Sequence, residues 1–140
     1  MTRLLVKEIM SRETKSISPD TVLPEAHQVM ITNNIRRLPV VKGKKLKGIV
    51  TLSDIQQASP SDATSLSVWE LNYLLSKLTI KKIMTSPAMT ICEDDSVNKV
   101  ANMMLDHKFG GVPVVNSAGK LVGMVTESDI FRMVAERGID

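Results

Sequence analysis

Two short words in this 140-residue chain carry residues that could do chemistry, Gly48-Ile-Val-Thr51-Leu-Ser-Asp54 and Gly123-Met-Val-Thr126-Glu-Ser-Asp129. In each, a glycine opens an apolar strand, a threonine ends it, and an aspartate follows after two intervening residues. That spacing gathers a hydroxyl, a carboxylate and the free N–H groups of a helix start at one sheet edge. The helix start and the hydroxyl suit a phosphate. An ionised carboxylate only accepts hydrogen bonds, so it suits a pair of donors such as the two hydroxyls of a ribose. The same residues would also cap their helices. Capping and ligand binding therefore both stand as readings of Thr51, Asp54, Thr126 and Asp129.

Catalytic patterns are absent. His27 and His107 fall on the polar sides of their helices, and no serine or cysteine stands in a nucleophile context. Cys92 lies on a core strand and reads as an inert buried thiol. The chain has no HExxH, no CxxC pair and no glycine loop followed by a Walker lysine. Asp94 and Asp95 read as a helix-capping pair. The expectation is a protein that is not an enzyme, with no metal site and no obligatory cofactor.

The elements that must position the two words are themselves duplicated. Val6–Met10 (VKEIM) returns as Ile80–Met84 (IKKIM), and Asp20, Met30 and Pro39 return 74 residues later as Asp94, Met104 and Pro113. The register then slips to 75 in a turn. Each copy reads as a short helix or turn at KxIM and a brief strand near Ser16–Ser18 or Thr90–Cys92. An amphipathic helix follows, with Thr21 or Ser96 as its hydroxyl N-cap. A PVV strand, a polar turn (Lys42–Lys45 or Asn116–Gly119), a second strand and a last helix from Ser53 or Ser128 complete the unit. The order is β-α-β-β-α, twice. The fold class is α/β with small mixed sheets. Each copy of about 55 residues is marginal alone, so the two are expected to pack together.

Between the copies, Ala58–Ser65 is turn-rich, and Ser67–Leu78 has capping-box spacing from Ser67 to Glu70. Leu71, Leu75 and Leu78 share one face of that helix, while Trp69 and Tyr73 point elsewhere. This fits a brace between the repeats, or part of a dimer interface anchored by the aromatics.

Composition is that of an ordinary globular chain, 43% hydrophobic and 24% charged. A net charge of +3 favours anionic partners only slightly and does not by itself argue for nucleic acid. Four aromatics are too few for a platform on which bases stack, and the lysines at 42, 44, 45 and 47 read as a solvated hairpin. The nine methionines sit mostly at core spacing. No apolar run is long enough for a membrane span. The first ten residues do not read as a signal peptide, and a single cysteine fits a reducing, cytoplasmic setting.

The KxIM opening, the PVV strand and the GhhTxxD ending resemble cystathionine-β-synthase (CBS) domains. The duplication resembles a stand-alone Bateman module, with repeats at residues 4–57 and 78–136 and a linker with its helix at 58–77. The wording Ser53-Asp-Ile-Gln-Gln-Ala-Ser-Pro-Ser61 also resembles acetoin-utilisation proteins of the CBS type, more weakly. The resemblance implies two repeats packed through their sheets with pseudo-two-fold symmetry, clefts that take adenosine-containing ligands, and a homodimer that regulates a protein target still to be identified. Thr51 with Asp54, and Thr126 with Asp129, match the family's phosphate and ribose residues. Arg36 and Arg37 match the basic residues that meet phosphates in relatives such as the γ subunit of the AMP-activated kinase. Gly110 and Gly111 stand in their place in the second copy, so the two clefts are expected to differ. For the adenine, the resemblance assigns Ile91 and Phe109 to the Asp54 cleft and Ile17 and Ile35 to the Asp129 cleft, with Gly110 also lining an adenine slot.

The ligand expected is AMP, ADP or ATP. The alternatives are S-adenosylmethionine, NAD or a cyclic dinucleotide in the same clefts, or a dimerising interaction module whose clefts are incidental.

Overall fold

Two units make up the computed structural model, which describes residues 3–59 and 67–138 apart from the side chains at 68, 71 and 72. One comprises Lys15–Ala88. The other joins Met1–Thr14 to Met89–Asp140. These units do not coincide with the sequence repeats. Each repeat's opening KxIM segment folds with the unit built around the other copy's strands.

In the first unit, helix α1 (Leu23–Asn33) leads to the antiparallel strands β1 (Arg37–Lys42) and β2 (Lys45–Thr51). Helix α2 (Leu52–Ala58) follows directly, and α3 (Val68–Leu75) comes after the linker. Leu23, Ala26 and Met30 form the buried stripe of α1. They pack with Leu38, Val40 and Val50 of the strands, Ile55 of α2, and Ile80 from the second KxIM segment. Stripes at helical spacing and alternation along the strands meet in one core, as the sequence pattern requires.

The second unit repeats the plan. A two-residue strand β3 (Ile91–Cys92) runs parallel to β4 (Gly111–Val115). Strand β5 (Leu121–Thr126) pairs antiparallel to β4, and helices α4 (Val97–His107) and α5 (Glu127–Arg137) complete the unit. Its core holds Val100, Met104, Val112, Val114, Val125 and Ile91, together with Val6 and Met10 from the chain's first segment.

The docking of the KxIM segments explains the glycine that opens each repeated word. Residues Val6–Glu8 and Ile80–Lys82 are single 3-10 turns. Beyond them, Thr85 exchanges two backbone hydrogen bonds with Ile49, and Ser11 exchanges two with Met124. A Cβ on Gly48 would stand 2.6 Å from the Thr85 carbonyl oxygen, and one on Gly123 would stand 2.5 Å from that of Ser11. Only a residue without a side chain lets the segment lie this close to the strand.

Several local expectations need correction. Ser16–Ser18 is not a strand but a single parallel bridge from Ile17 to Val40. The chain turns at once, with the Thr21 N–H donating to the Ser18 carbonyl and Pro19 offering no donor. Thr21 is not the cap of α1. Val22 holds that position without a side-chain bond, Pro24 follows in the first turn, and the Thr21 hydroxyl accepts from the Ser18 N–H instead. Ser96 does cap α4, its hydroxyl accepting from the Lys99 N–H. Helices α2 and α5 each begin one residue earlier than expected, because Thr51 and Thr126 are their N-caps. Helix α3 stops at Leu75 rather than Leu78, in a turn where Lys77 and Leu78 donate to Leu74 and Leu75. Cys92 is half-buried rather than buried.

Candidate functional site

Strand register sets up the site in the first unit. Arg37 lies opposite Thr51 in the β1–β2 ladder, and the Leu52 N–H donates 2.7 Å to the Arg36 carbonyl. The paired strands and the start of α2 are thereby held together. Around them is a cavity of about 390 Å³ lined by Arg36, Arg37, Thr51, Leu52, Ser53 and Gln56. Its lining residues carry two guanidinium groups, two hydroxyls and an amide. Such a set matches phosphate oxygens, which arginine's planar fork can hold bidentately.

Asp54 sits in the first turn of α2, half-buried, and does not line that cavity. Its backbone N–H donates 3.1 Å to the Thr51 hydroxyl, and its Oδ2 accepts from the Thr51 N–H at 2.9 Å. This is a capping box, so the capping reading of the motif is realised. The box leaves two groups over. Thr51 accepts through its oxygen and keeps its proton to donate, and Asp54 Oδ1 makes no hydrogen bond among the described residues.

The second unit keeps the backbone and changes the side chains. Gly111 lies opposite Thr126, and the Glu127 N–H donates to the Gly110 carbonyl, just as Leu52 does to Arg36. No guanidinium stands on this strand end. Asp129 is 8% exposed. Its Oδ2 accepts from the Thr126 N–H at 2.8 Å and from the Thr126 hydroxyl at 3.1 Å. Its Oδ1 accepts from Arg132 Nη1 at 3.1 Å. Sequence reading missed Arg132. Its counterpart 75 residues earlier, Gln57, donates weakly to Ser53 instead, at 3.4 Å, so the change of residue was the available signal.

The apolar candidates divide by unit. Ile17 is buried in the core beside half-buried Ile35, in the unit of Asp54. Ile91, Phe109 and Gly110 lie in the unit of Asp129, where Phe109 stacks on His107 with ring centroids 5.5 Å apart. The crossed pairing implied by the family resemblance is therefore not one that either unit assembles by itself.

Helix α3 is capped as expected, Ser67 accepting from the Glu70 N–H and donating to its carboxylate. Leu75, and Leu78 beyond the helix end, pack on the core of the first unit. The contacts of Leu71, and residues 60–66 of the linker, lie outside the described residues. Trp69 is 84% exposed, and Tyr73 and Leu74 are also exposed. Among the described residues no group of histidine, cysteine and carboxylate side chains could hold a metal ion, and no helix is long and apolar enough to cross a membrane.

The CBS domain family matches residues 6–61 and again 80–136. A CBS domain-containing protein of Dictyostelium discoideum is 34% identical over 133 residues, which cover 94% of this chain and 92% of that protein. The crystallised CBS domain pair of protein MJ0100, in complex with 5′-methylthioadenosine and S-adenosyl-L-methionine, is 34% identical with a TM-score of 0.78. That match covers 97% of this chain and 99% of the other. The crystal structure of a putative acetoin utilization protein (AcuB) of Vibrio cholerae shares 26% identity over 96% of this chain and 93% of that one, with a TM-score of 0.80. Archaeal enzymes that also match are longer, and the chain spans only 23% and 24% of two of them. With two family matches spanning most of its length and the duplicated unit they predict, the chain belongs to the CBS domain family as a tandem pair.

Proposed function

We propose that this CBS pair is a cytoplasmic, non-catalytic regulatory sensor of adenine nucleotides, with its phosphate site in the unit of Asp54. The observation that carries the reading is the cavity of about 390 Å³ that Arg36 and Arg37 line together with Thr51 and Ser53. The guanidinium groups and the hydroxyls take the phosphate of AMP, ADP or ATP. Asp54 Oδ1 accepts from the ribose. In the unit of Asp129, Thr126 and Asp129 form the corresponding pair without arginines on the strand, so that site takes a nucleoside-like ligand, binds weakly or stays empty. S-adenosyl-L-methionine, found in the MJ0100 pair, carries a sulfonium that two arginines would repel. NAD and cyclic dinucleotides keep phosphates and remain the closest competitors.

Calorimetric titration of Arg36→Ala with adenosine, AMP and ATP tests the phosphate assignment. A hydrogen bond to a charged group contributes about 1.5–3 kcal/mol, so AMP and ATP should weaken about tenfold or more while adenosine is unchanged. Equal weakening of all three contradicts it.

A second reading rests on α3. Trp69, Tyr73 and Leu74 present an exposed apolar face, the kind of surface that anchors a homodimer or a protein target. Sedimentation of Trp69→Ala tests it. Loss of a wild-type dimer supports the reading, and an unchanged oligomeric state removes it.

A further inference from the structure

We propose that Arg132 is a specificity-determining residue that closes the Asp129 site, so that one of the two TxxD motifs is switched off by the chain's own guanidinium. The inference rests on the nucleotide-binding reading above and extends it to the unequal use of two sites.

The observation is the unequal occupation of two carboxylates that the fold places alike. Among the described residues Asp54 accepts one hydrogen bond, from the Thr51 N–H. Asp129 accepts three, two on Oδ2 from Thr126 and one on Oδ1 from Arg132. The threonines differ in the same sense. Thr51 receives the Asp54 N–H and keeps its hydroxyl proton for a ligand, whereas Thr126 spends its proton on Asp129. A ribose offering two hydroxyl donors thus finds on Asp54 an oxygen that no described residue occupies. On Asp129 it finds the corresponding oxygen already bound to a cation.

Burial sharpens the contrast. The Asp129 side chain is 9% exposed and Arg132 is 59% exposed, so the carboxylate has given up most of its water and depends on its protein donors. Displacing Arg132 returns a guanidinium to solvent, which is easy. It also takes a cation away from a buried carboxylate, which a neutral ribose hydroxyl does not replace. The closure is therefore a competition that a nucleoside enters at a disadvantage. It costs the ligand affinity without blocking it sterically. The first copy carries Gln57 at this position, and that side chain points its amide at Ser53.

The test is calorimetry with adenosine, which has no phosphate to confuse the reading, on the full chain. Asp54→Ala silences the open site and serves as the background. Adding Arg132→Gln, the residue type of the first copy, should strengthen adenosine binding about threefold to tenfold, the strength of a partly exposed ion pair. Adding Asp129→Ala as well should abolish the gain. Arg132→Lys, which keeps a cation within reach, should stay close to the background. Each variant should still melt cooperatively, Asp129→Ala at a lower temperature because it loses the capping carboxylate of its helix. The titrations are run below the lowest of these melting temperatures, where every variant is folded.

No gain with Arg132→Gln, or a gain that survives Asp129→Ala, overturns the proposal. So does weakened AMP binding with adenosine unchanged, which would make Arg132 a phosphate contact. The nucleotide reading is judged separately, by comparing wild type with Asp54→Ala. If wild type binds nothing while Arg132→Gln creates a site, the closure stands and the reading of Asp54 falls.

Discussion

Replacing Gly48 by alanine should destabilise the protein through a single backbone collision. The added Cβ would lie 2.6 Å from the Thr85 carbonyl oxygen and 2.9 Å from Met84 Sδ. The thioether can swing aside. The carbonyl cannot, because the Ile49 N–H holds it at 3.0 Å while the Thr85 N–H is held at 2.9 Å by the Ile49 carbonyl. Restoring ordinary contact needs a retreat of roughly 0.6–0.8 Å, and that breaks the bridge. Two hydrogen bonds worth about 0.5–1.5 kcal/mol each are lost or weakened. Overpacking of this kind costs about 1–3 kcal/mol, and the lower chain entropy of alanine returns about 0.4–1 kcal/mol. The net loss is centred on ~3 kcal/mol within a span of about 1–5, or roughly 10 °C in melting temperature for a chain of this size. Gly123→Ala meets the Ser11 carbonyl at 2.5 Å and should behave alike. Gly43→Ala is the control. Its φ of +65° strains an alanine, but nothing lies within 4 Å, so its loss should be nearer 1 kcal/mol. Urea denaturation followed by circular dichroism reads all three. A Gly48→Ala protein as stable as wild type, or no less stable than Gly43→Ala, would refute the docking argument.

Other outcomes follow from the caps and ion pairs. Ser96→Ala should cost about 1 kcal/mol, the usual loss for an N-cap, whereas Thr21→Ala, which removes only an exposed turn contact, should cost less; equal losses would restore Thr21 as a cap. The hydrogen bond from Lys7 to Asp94 holds the Lys7 ammonium above its ordinary pKa. A raised folded-state value stabilises fully below the unfolded pKa and is lost as pH rises through the folded one. Wild type and Asp94→Asn should therefore differ at neutral pH and converge in strong alkali, and a difference that widens with alkali would contradict this. The exposed pair makes the effect small.

Much of the fold and part of the site are legible in the amino-acid order. The duplication implies two β-α-β-β-α units, because repeated spacing of apolar residues repeats local structure. The Thr-x-x-Asp spacing announces a capping box, and the Arg36–Arg37 to Gly110–Gly111 exchange announces unequal sites. Three things lie deeper. The KxIM segments carry the same local signal in both copies, and spacing alone cannot say which copy each docks on; that choice is made by Val6 and Ile80 entering cores built from distant strands. The glycine before the apolar pair looks like a strand opener, yet its reason is a carbonyl 37 positions further along the chain, at Thr85. Arg132 reads as one more polar residue on an exposed helix face until the fold sets it on Asp129.

In the proposed reading the unit of Asp54 binds an adenine nucleotide through Asp54 and its neighbouring arginines. Calorimetric titration of wild type and Asp54→Ala with AMP, ADP and ATP tests it most directly. Saturable binding is expected in wild type, weakened at least about tenfold in Asp54→Ala, with bound ligand at a hundred times its Kd raising stability by about 2.7 kcal/mol. Binding of equal strength in both proteins, or silence across the three nucleotides from folded, ligand-free protein, would contradict it.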